Sequence, residues 1–401
     1  MEEWKEYKLK DVSYLTTGFP FDGHKYGKEG IRVVRGDNVT IGSLRWDTDK
    51  DKRWSEPFDR TDEYSLQAED IVIGMDGSRV GKNRAQVKAE DLPLLLAQRV
   101  ACVRHNHLSL QSFLYYQIFS DNFEMYVNAV HTGTSIPHIS LKQIGDFSFV
   151  LPPLDVQQKI STILSSLDSK IEINRRINAN LEQQAQALFK SWFVDFEPFK
   201  DGEFVESELG RIPKGWRVGS IYDYIDVVYG APYKSSLFND KKEGLPLIRI
   251  RDLKTNAPQF YTPEILPNTE FVKAGDIVAG MDAEFIPYVW LGEKGVLNQR
   301  CCKFRGKNEA ISNYYILFLI KPELEYVQSY KTGTTVSHLG KSDIDRFRFV
   351  TPPLDVVKSF SDLVDGMLKE LVNRANESHS LAELRDTLLP KLMSGELQVN
   401  A

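Results

Sequence analysis

Two short segments of this 401-residue chain carry the same polar signature. Thr132, Gly133, Thr134 and Ser135 are followed by His138, and Thr332, Gly333, Thr334 and Thr335 by His338. Hydroxyls, an imidazole and backbone N–H groups at a glycine turn are donors that suit anionic oxygens, so phosphate positioning is the chemistry expected of them; a structural turn is the alternative. Arg35 and Asn38 follow an apolar strand, as do Arg249 and Arg251. Such side chains at strand ends are of the kind that reads base edges, guanine above all for arginine, or else they pair with Asp37 and Asp252. Ser78, Arg79, Lys82 and Arg84 lie in a basic, glycine-bearing loop suited to phosphate contact. Gln98-Arg99 and Gln299-Arg300 precede strands, where a structural role is equally open. Arg45, Trp46, Lys50, Lys52, Arg53 and Trp54 mix bases with aromatics, but Asp47, Asp49 and Asp51 among them favour a solvated loop over a nucleic-acid contact.

Catalytic chemistry finds no comparable support. The Pro-Pro pairs follow Leu151 and Thr351, not the Asn/Asp of a DNA methyltransferase motif, and read as helix-start punctuation. Gly340-Lys341-Ser342 resembles the end of a phosphate-binding loop, but Thr335 stands where that loop needs glycine. The sequence has no HExxH, no nucleophile elbow and no metal-ligand spacing. Cys102, Cys301 and Cys302 form no disulfide framework and are expected as small strand residues of a cytoplasmic protein.

The elements that must position these residues come twice. Gly18-Phe19-Pro20-Phe21 returns as Gly230-Ala231-Pro232-Tyr233, and Val34-Arg35 as Ile248-Arg249. Asp70 to Asp76 returns as Asp276 to Asp282, both ending Met-Asp; Gln98-Arg99 returns as Gln299-Arg300. Phe149 to Val156 matches Phe349 to Val356 through Pro-Pro-Leu-Asp-Val. A period of about 200 residues is that of a domain, not of a 20–50-residue solenoid unit. The first copy is longer between residues 39 and 71, as a surface loop would be. Short buried strands are expected at 70–74, 100–103, 276–280 and 301–304, and helices at 113–130 and 314–330. Together they predict an α+β fold, a twisted sheet with helices at its edge, made twice.

After each Pro-Pro pair the periodicity becomes helical. Ile160, Leu164, Leu167, Ile171, Leu181, Ala185, Leu188 and Trp192 form one coiled-coil stripe; Phe360, Val364, Met367, Leu371, Leu381 and Leu388 form the other. Residues 156–192 as helix would span roughly 55 Å, too long for one small domain to cover. Both stripes turn polar at the same place, at Asn174 and Asn178 and at Arg374 and Ser378. An antiparallel pair would match those breaks, fix the register and relate the two domains by a pseudo-twofold axis; each helix packing on its own domain is the alternative.

The bulk composition agrees with a globular chain of two or three domains: 42% hydrophobic, 26% charged, no apolar run of membrane-spanning length and no secretory leader expected after Met1. A net charge of −6 places any anion-binding surface in local patches or shares it with partners.

Two diverged domains, each ending in Pro-Pro-Leu and followed by a long helix, resemble the specificity subunit of type I restriction–modification systems. Leu188 to Phe199 is similar to the end of that family's central helix, and Leu384 to Leu397 to its C-terminal tail; the Thr-Gly-Thr elements fit its target-recognition domains. The resemblance covers essentially the whole chain. It implies target-recognition domains at 1–152 and 200–352, a central helix at 153–199, and a C-terminal helix and tail at 353–401. It implies a non-catalytic subunit whose domains each read half of a split, asymmetric site in double-stranded DNA, with helices that set the spacer and dock two modification subunits. Restriction–translocase subunits would join, and S-adenosylmethionine, ATP and Mg would be held by partners, none by this chain. Where the first copy has Ser78-Arg79, the second has Ala283 to Tyr288, a departure expected if the domains read different sequences. A free-standing DNA-binding regulator and a protein scaffold are the readings from other classes.

Overall fold

The computed structural model describes residues 4–56, 60–133, 137–331 and 337–399. The chain divides into two compact units, residues 1–169 with 382–401, and residues 170–381.

In the first unit, β1 (Lys5–Lys8) pairs antiparallel with β9 (Ser148–Leu151), so the two ends of the repeat meet. Between them lie two sheets. One holds β2 (Ser13–Thr17), β5 (Ile71–Gly74), β6 (Arg84–Gln86) and β8 (Val100–His105) in the order β2-β8-β5-β6. The other holds β3 (Ile31–Val34), β4 (Arg53–Trp54) and β7 (Leu94–Leu96), with β3 and β7 parallel. Continuous apolar runs such as Ile71-Val72-Ile73 are buried on both faces, as their lack of alternation requires.

The second unit repeats this plan. After a hairpin, β10 (Phe204–Ser207) with β11 (Gly210–Pro213), strand β12 (Arg217–Ser220) pairs with β21 (Arg348–Thr351). Strands β13 (Ile225–Tyr229), β17 (Ile277–Gly280), β18 (Pro287–Val289) and β20 (Cys301–Gly306) form the sheet β13-β20-β17-β18. Strands β14 (Leu245–Ile248), β15 (Tyr261–Thr262), β16 (Phe271–Val272) and β19 (Gly295–Leu297) form β15-β14-β19-β16. The registers coincide: Ile71 faces Val103 as Ile277 faces Phe304, and Gly74 faces Val100 as Gly280 faces Cys301. Gly18 and Gly230 are required by a shared crossing, since a Cβ would lie 1.9 Å from the Leu96 carbonyl oxygen in one copy and 2.1 Å from that of Asn298 in the other.

Each copy is thus two small sheets plus a terminal strand pair, not the single twisted sheet expected. The helix expected over 113–130 is two, Gln111–Ile118 and Asp121–Val130, because the Ser120 hydroxyl caps a new start at the Phe123 N–H. Its counterpart Asn313–Lys331 is one helix and tolerates Pro322.

The central helix runs Leu154–Phe193 and the C-terminal helix Leu354–Ser394. Each begins by docking on the domain it follows. Ile160 and Leu164 are buried in the first core, and the Gln157 amide bonds Leu108, Leu110 and Pro152 backbone. Val357, Phe360 and Val364 are buried in the second. Within the second unit the two helices also pack antiparallel. Phe193 meets Phe360 at 5.0 Å between ring centroids, and Asn178 donates to the Leu371 carbonyl at 3.2 Å. Asn174 is fully buried, donates to Glu377 at 2.8 Å and accepts from Arg374 at 3.1 Å. Within the first unit, Asp168 accepts from Arg385 at 2.8 Å, while Leu388, Leu392 and Met393 pack on the core. The polar breaks of the two stripes therefore meet, as their spacing predicts. Among the described residues no helix is long and apolar enough to cross a membrane.

Candidate nucleic-acid interface

The repeat places the same three side chains together in each unit. Asp76 follows β5, Arg99 precedes β8 and His138 follows the Thr-Gly-Thr segment. The backbone holds all three: Met75 N–H donates to the Arg99 carbonyl (3.1 Å), Ile139 N–H to the Met75 carbonyl (2.9 Å), and Gly77 N–H to the Pro137 carbonyl (3.0 Å). Asp76 Oδ1 accepts from the His138 imidazole Nδ1, and Asp76 Oδ2 lies 3.5 Å from Arg99 Nε. In the second unit, Met281 N–H donates to the Arg300 carbonyl (2.9 Å), Leu339 N–H to Met281 (2.7 Å) and Ala283 N–H to Ser337 (3.0 Å). Asp282 Oδ1 is 2.6 Å from His338 Nδ1, and Oδ2 is 3.3 Å from Arg300 Nε.

In the first unit this group borders an open cavity of about 720 Å³. Phe19, Phe21 and Tyr26 give it apolar and aromatic surface; Arg35, Arg45, Arg79 and Arg99 give it positive charge, and Asp37 and Asp76 part of the balance. The aromatic support is packed, with Phe21 4.9 Å from Trp54 and Tyr26 6.1 Å from it. Arg35 is half-buried, its guanidinium 5.7 Å from the Tyr26 ring centre; Arg249 in the second unit stands 4.4 Å from that of Phe260. A guanidinium on an aromatic face keeps its N–H edge available in the ring plane. Ser78 and Arg79 are exposed, and so is Arg251. Lys82 is half-exposed and pairs with Glu124 at 3.0 Å.

Two expected contacts are corrected. Asn38 is fully buried: its amide donates to the Arg45 and Lys50 carbonyls at 3.1 and 2.9 Å, and its oxygen accepts from the Arg35 N–H at 3.0 Å. It holds the loop and offers no edge to a ligand. Arg84 is buried against Phe119 and Phe123 with Glu124 3.7 Å away, because β6 turns it into the core. Burial lowers its pKa from the ordinary arginine range. Thr132 pairs with His138 through both backbone groups (2.9 and 2.7 Å), so it and Gly133 sit beside the Asp76 group. Thr134, Ser135, Thr332, Gly333, Thr334 and Thr335 lie outside the described residues.

The residues at 45–54 are ordered by local pairs, Arg32 and Arg53 on Asp51 and Lys50 on Asp37, with Trp54 in the core. All three cysteines are buried strand residues, and burial pushes the Cys302 thiol up to about 12. Among the described residues no group of three or more His, Cys, Asp and Glu is placed to hold a metal ion. Sequence reasoning met Asp76 and Asp282 only as the ends of a repeated segment, beyond the expected strands, and left Arg99 and Arg300 open. The signal was the joint return of Met-Asp, Gln-Arg and a histidine.

The chain is thus one domain made twice, with one polar group kept at the same corner of both copies. A family model described as the type I restriction modification DNA specificity domain matches residues 1–183 and 213–377, and the chain belongs to that family. It is similar to the type I restriction enzyme MjaIX specificity subunit of Methanocaldococcus jannaschii, 29% identical over 72% of this chain and 70% of that one. It is similar also to the HindI specificity subunit of Haemophilus influenzae, 23% identical over 99% of this chain and 100% of that one. The crystal structure of a type I restriction–modification S subunit from M. genitalium shares the fold, with TM-score 0.58 and 15% identity over 98% of this chain and 96% of that one. The family's members are non-catalytic subunits, and their role is recognition of DNA sequence.

Proposed function

We propose that this chain reads a split, asymmetric site in double-stranded DNA, one half through residues 1–152 and the other through residues 200–352. The two long helices set the unread spacer and dock two modification subunits. Those partners hold S-adenosylmethionine and methylate adenine, and restriction–translocase subunits that use ATP and Mg join for cleavage. The observation that carries the reading is the polar group of Asp76, Arg99 and His138, made again by Asp282, Arg300 and His338 on the same strand register. Different half-sites accord with the segments beside it, Gly77 to Arg84 in one copy and Ala283 to Tyr288 in the other. A fixed spacer accords with helices whose register is held by the buried Asn174 and the half-buried Arg374 that donates to it.

The test is a map of methylated adenines after expression with the modification subunit in a methylation-free host. A two-part motif that appears only when this chain is present is the expected result. Heptads inserted near residue 180 should lengthen the tolerated spacer and leave both half-sites unchanged. A soluble complex that methylates nothing would favour a free-standing binder or a protein scaffold instead.

A further inference from the structure

We propose that Arg99 and Arg300 are the backbone-phosphate contacts of the two domains, each aimed by an aspartate, Asp76 or Asp282, that acts as a positioning residue. The proposal rests on the DNA-reading function above. It adds a division of labour: what the copies share holds the duplex, and what differs between them reads it.

The geometry is that of an aiming device. Each carboxylate is spanned, with one oxygen on the histidine Nδ1 and the other facing the arginine Nε. Backbone bonds tie down the aspartate strand end, the arginine strand start and the segment before the histidine. An arginine held through Nε keeps both terminal NH₂ groups for a second acceptor. Among the described residues Arg99 and Arg300 have no such acceptor, and their side chains are 64% and 57% exposed, against 33% and 25% for the aspartates. The aspartate is shielded while the arginine faces out.

Stability does not account for the arrangement, because an exposed pair of this kind contributes little to folding. An arginine that read a base in both half-sites would impose the same letter on each. Phosphate contacts carry no sequence information and are needed by any half-site. That is the task a duplicated, invariant group fits. The exposed Ser78 and Arg79, which have no counterpart in the second copy, are placed to read.

The test uses the full chain co-purified with its modification subunits. It measures binding of a labelled duplex carrying the mapped motif, and of a scrambled duplex, across a salt series. Arg99→Gln and Arg300→Gln should each weaken both duplexes by the same factor, roughly ten-fold. Each should also flatten the log–log salt slope by about 0.9, with every letter of the methylated motif unchanged. Asp76→Asn removes a negative charge, which by itself would tighten binding; an aiming role predicts weaker binding instead, and no further loss in an Arg99→Gln background. Arg99→Lys should keep the salt slope but lose affinity, and decides the matter if Arg99→Gln is insoluble. Loss of one letter in one half-site, tighter binding by Asp76→Asn, or unchanged affinity and slope would each overturn the proposal. If the unaltered complex binds no duplex, the DNA reading itself falls; if it binds and the variants match it, only the phosphate assignment falls.

Discussion

Asn38 and Asp252 occupy the same turn after the same strand in the two domains, and their surroundings ask for opposite chemistry. Around Asn38 stand two carbonyls, of Arg45 and Lys50, and one N–H, of Arg35. Around Asp252 stand two N–H groups, of Arg249 and Gln259, and the Arg249 guanidinium, with Nε 3.5 Å away. Burial pushes the Asp252 carboxyl above its usual value, against those donors. A second pair differs likewise. Asp70 and Asp276 open equivalent strands, but Asp70 is met by Arg104 at 2.6 Å and Asp276 by Lys303 at 2.9 Å. Those cations come from different positions of the facing strand, since Lys303 stands where the first domain has Cys102. Duplication kept the backbone register and let each buried polar position be solved again.

That comparison can be broken in order of expected effect. Lys303 is 10% exposed between Glu270 and Asp276, so Lys303→Met should cost about 3–5 kcal/mol by stranding the buried Asp276 and the half-buried Glu270. Hydrogen exchange should show protection lost in β17 and β20 while β5 and β8 keep theirs. Equal loss in both domains would mean that the two do not unfold separately. Asn38→Asp would set a carboxylate against two carbonyls, for about 3 kcal/mol. The loss should be felt at neutral pH and eased in acid, where the new carboxyl is protonated and can donate. Asp252→Asn is the smaller reciprocal change, about 1–2 kcal/mol, because one N–H would face an NH₂ group. The sign with pH is opposite to that of a salt-bridged acid. The raised folded pKa of Asp252 means that its ionisation lowers stability as pH rises above the unfolded value of about 3.8. Thermal melts of Asp252→Asn should lose that dependence. A variant that matches the unaltered chain at every pH would remove Asp252 from the account.

These positions also mark what the sequence made legible. The two-domain plan, the buried strands, the paired long helices and the meeting of Asn174 with Arg374 follow from periodicity and repeat spacing, which local physics enforces. Arg35 at a strand end and Arg79 in a glycine-bearing loop were legible as cationic side chains beside turns, and both line the cavity. Asn38 and Arg84 misled for one reason: a residue type that suits a base edge also suits a buried network. Only the fold of 45–50 around Asn38, and the inward turn of β6, decide between them. Asp76 and Arg99 are far apart in the chain and carry no motif of their own, so their union waits on strand order.

Each domain begins and ends on one ladder, β1 with β9 and β12 with β21. Each domain is therefore closed on itself, its first and last strands side by side and a long helix beginning just after the last. Exchange between related genes at those points would move a whole domain and leave the helix after it intact.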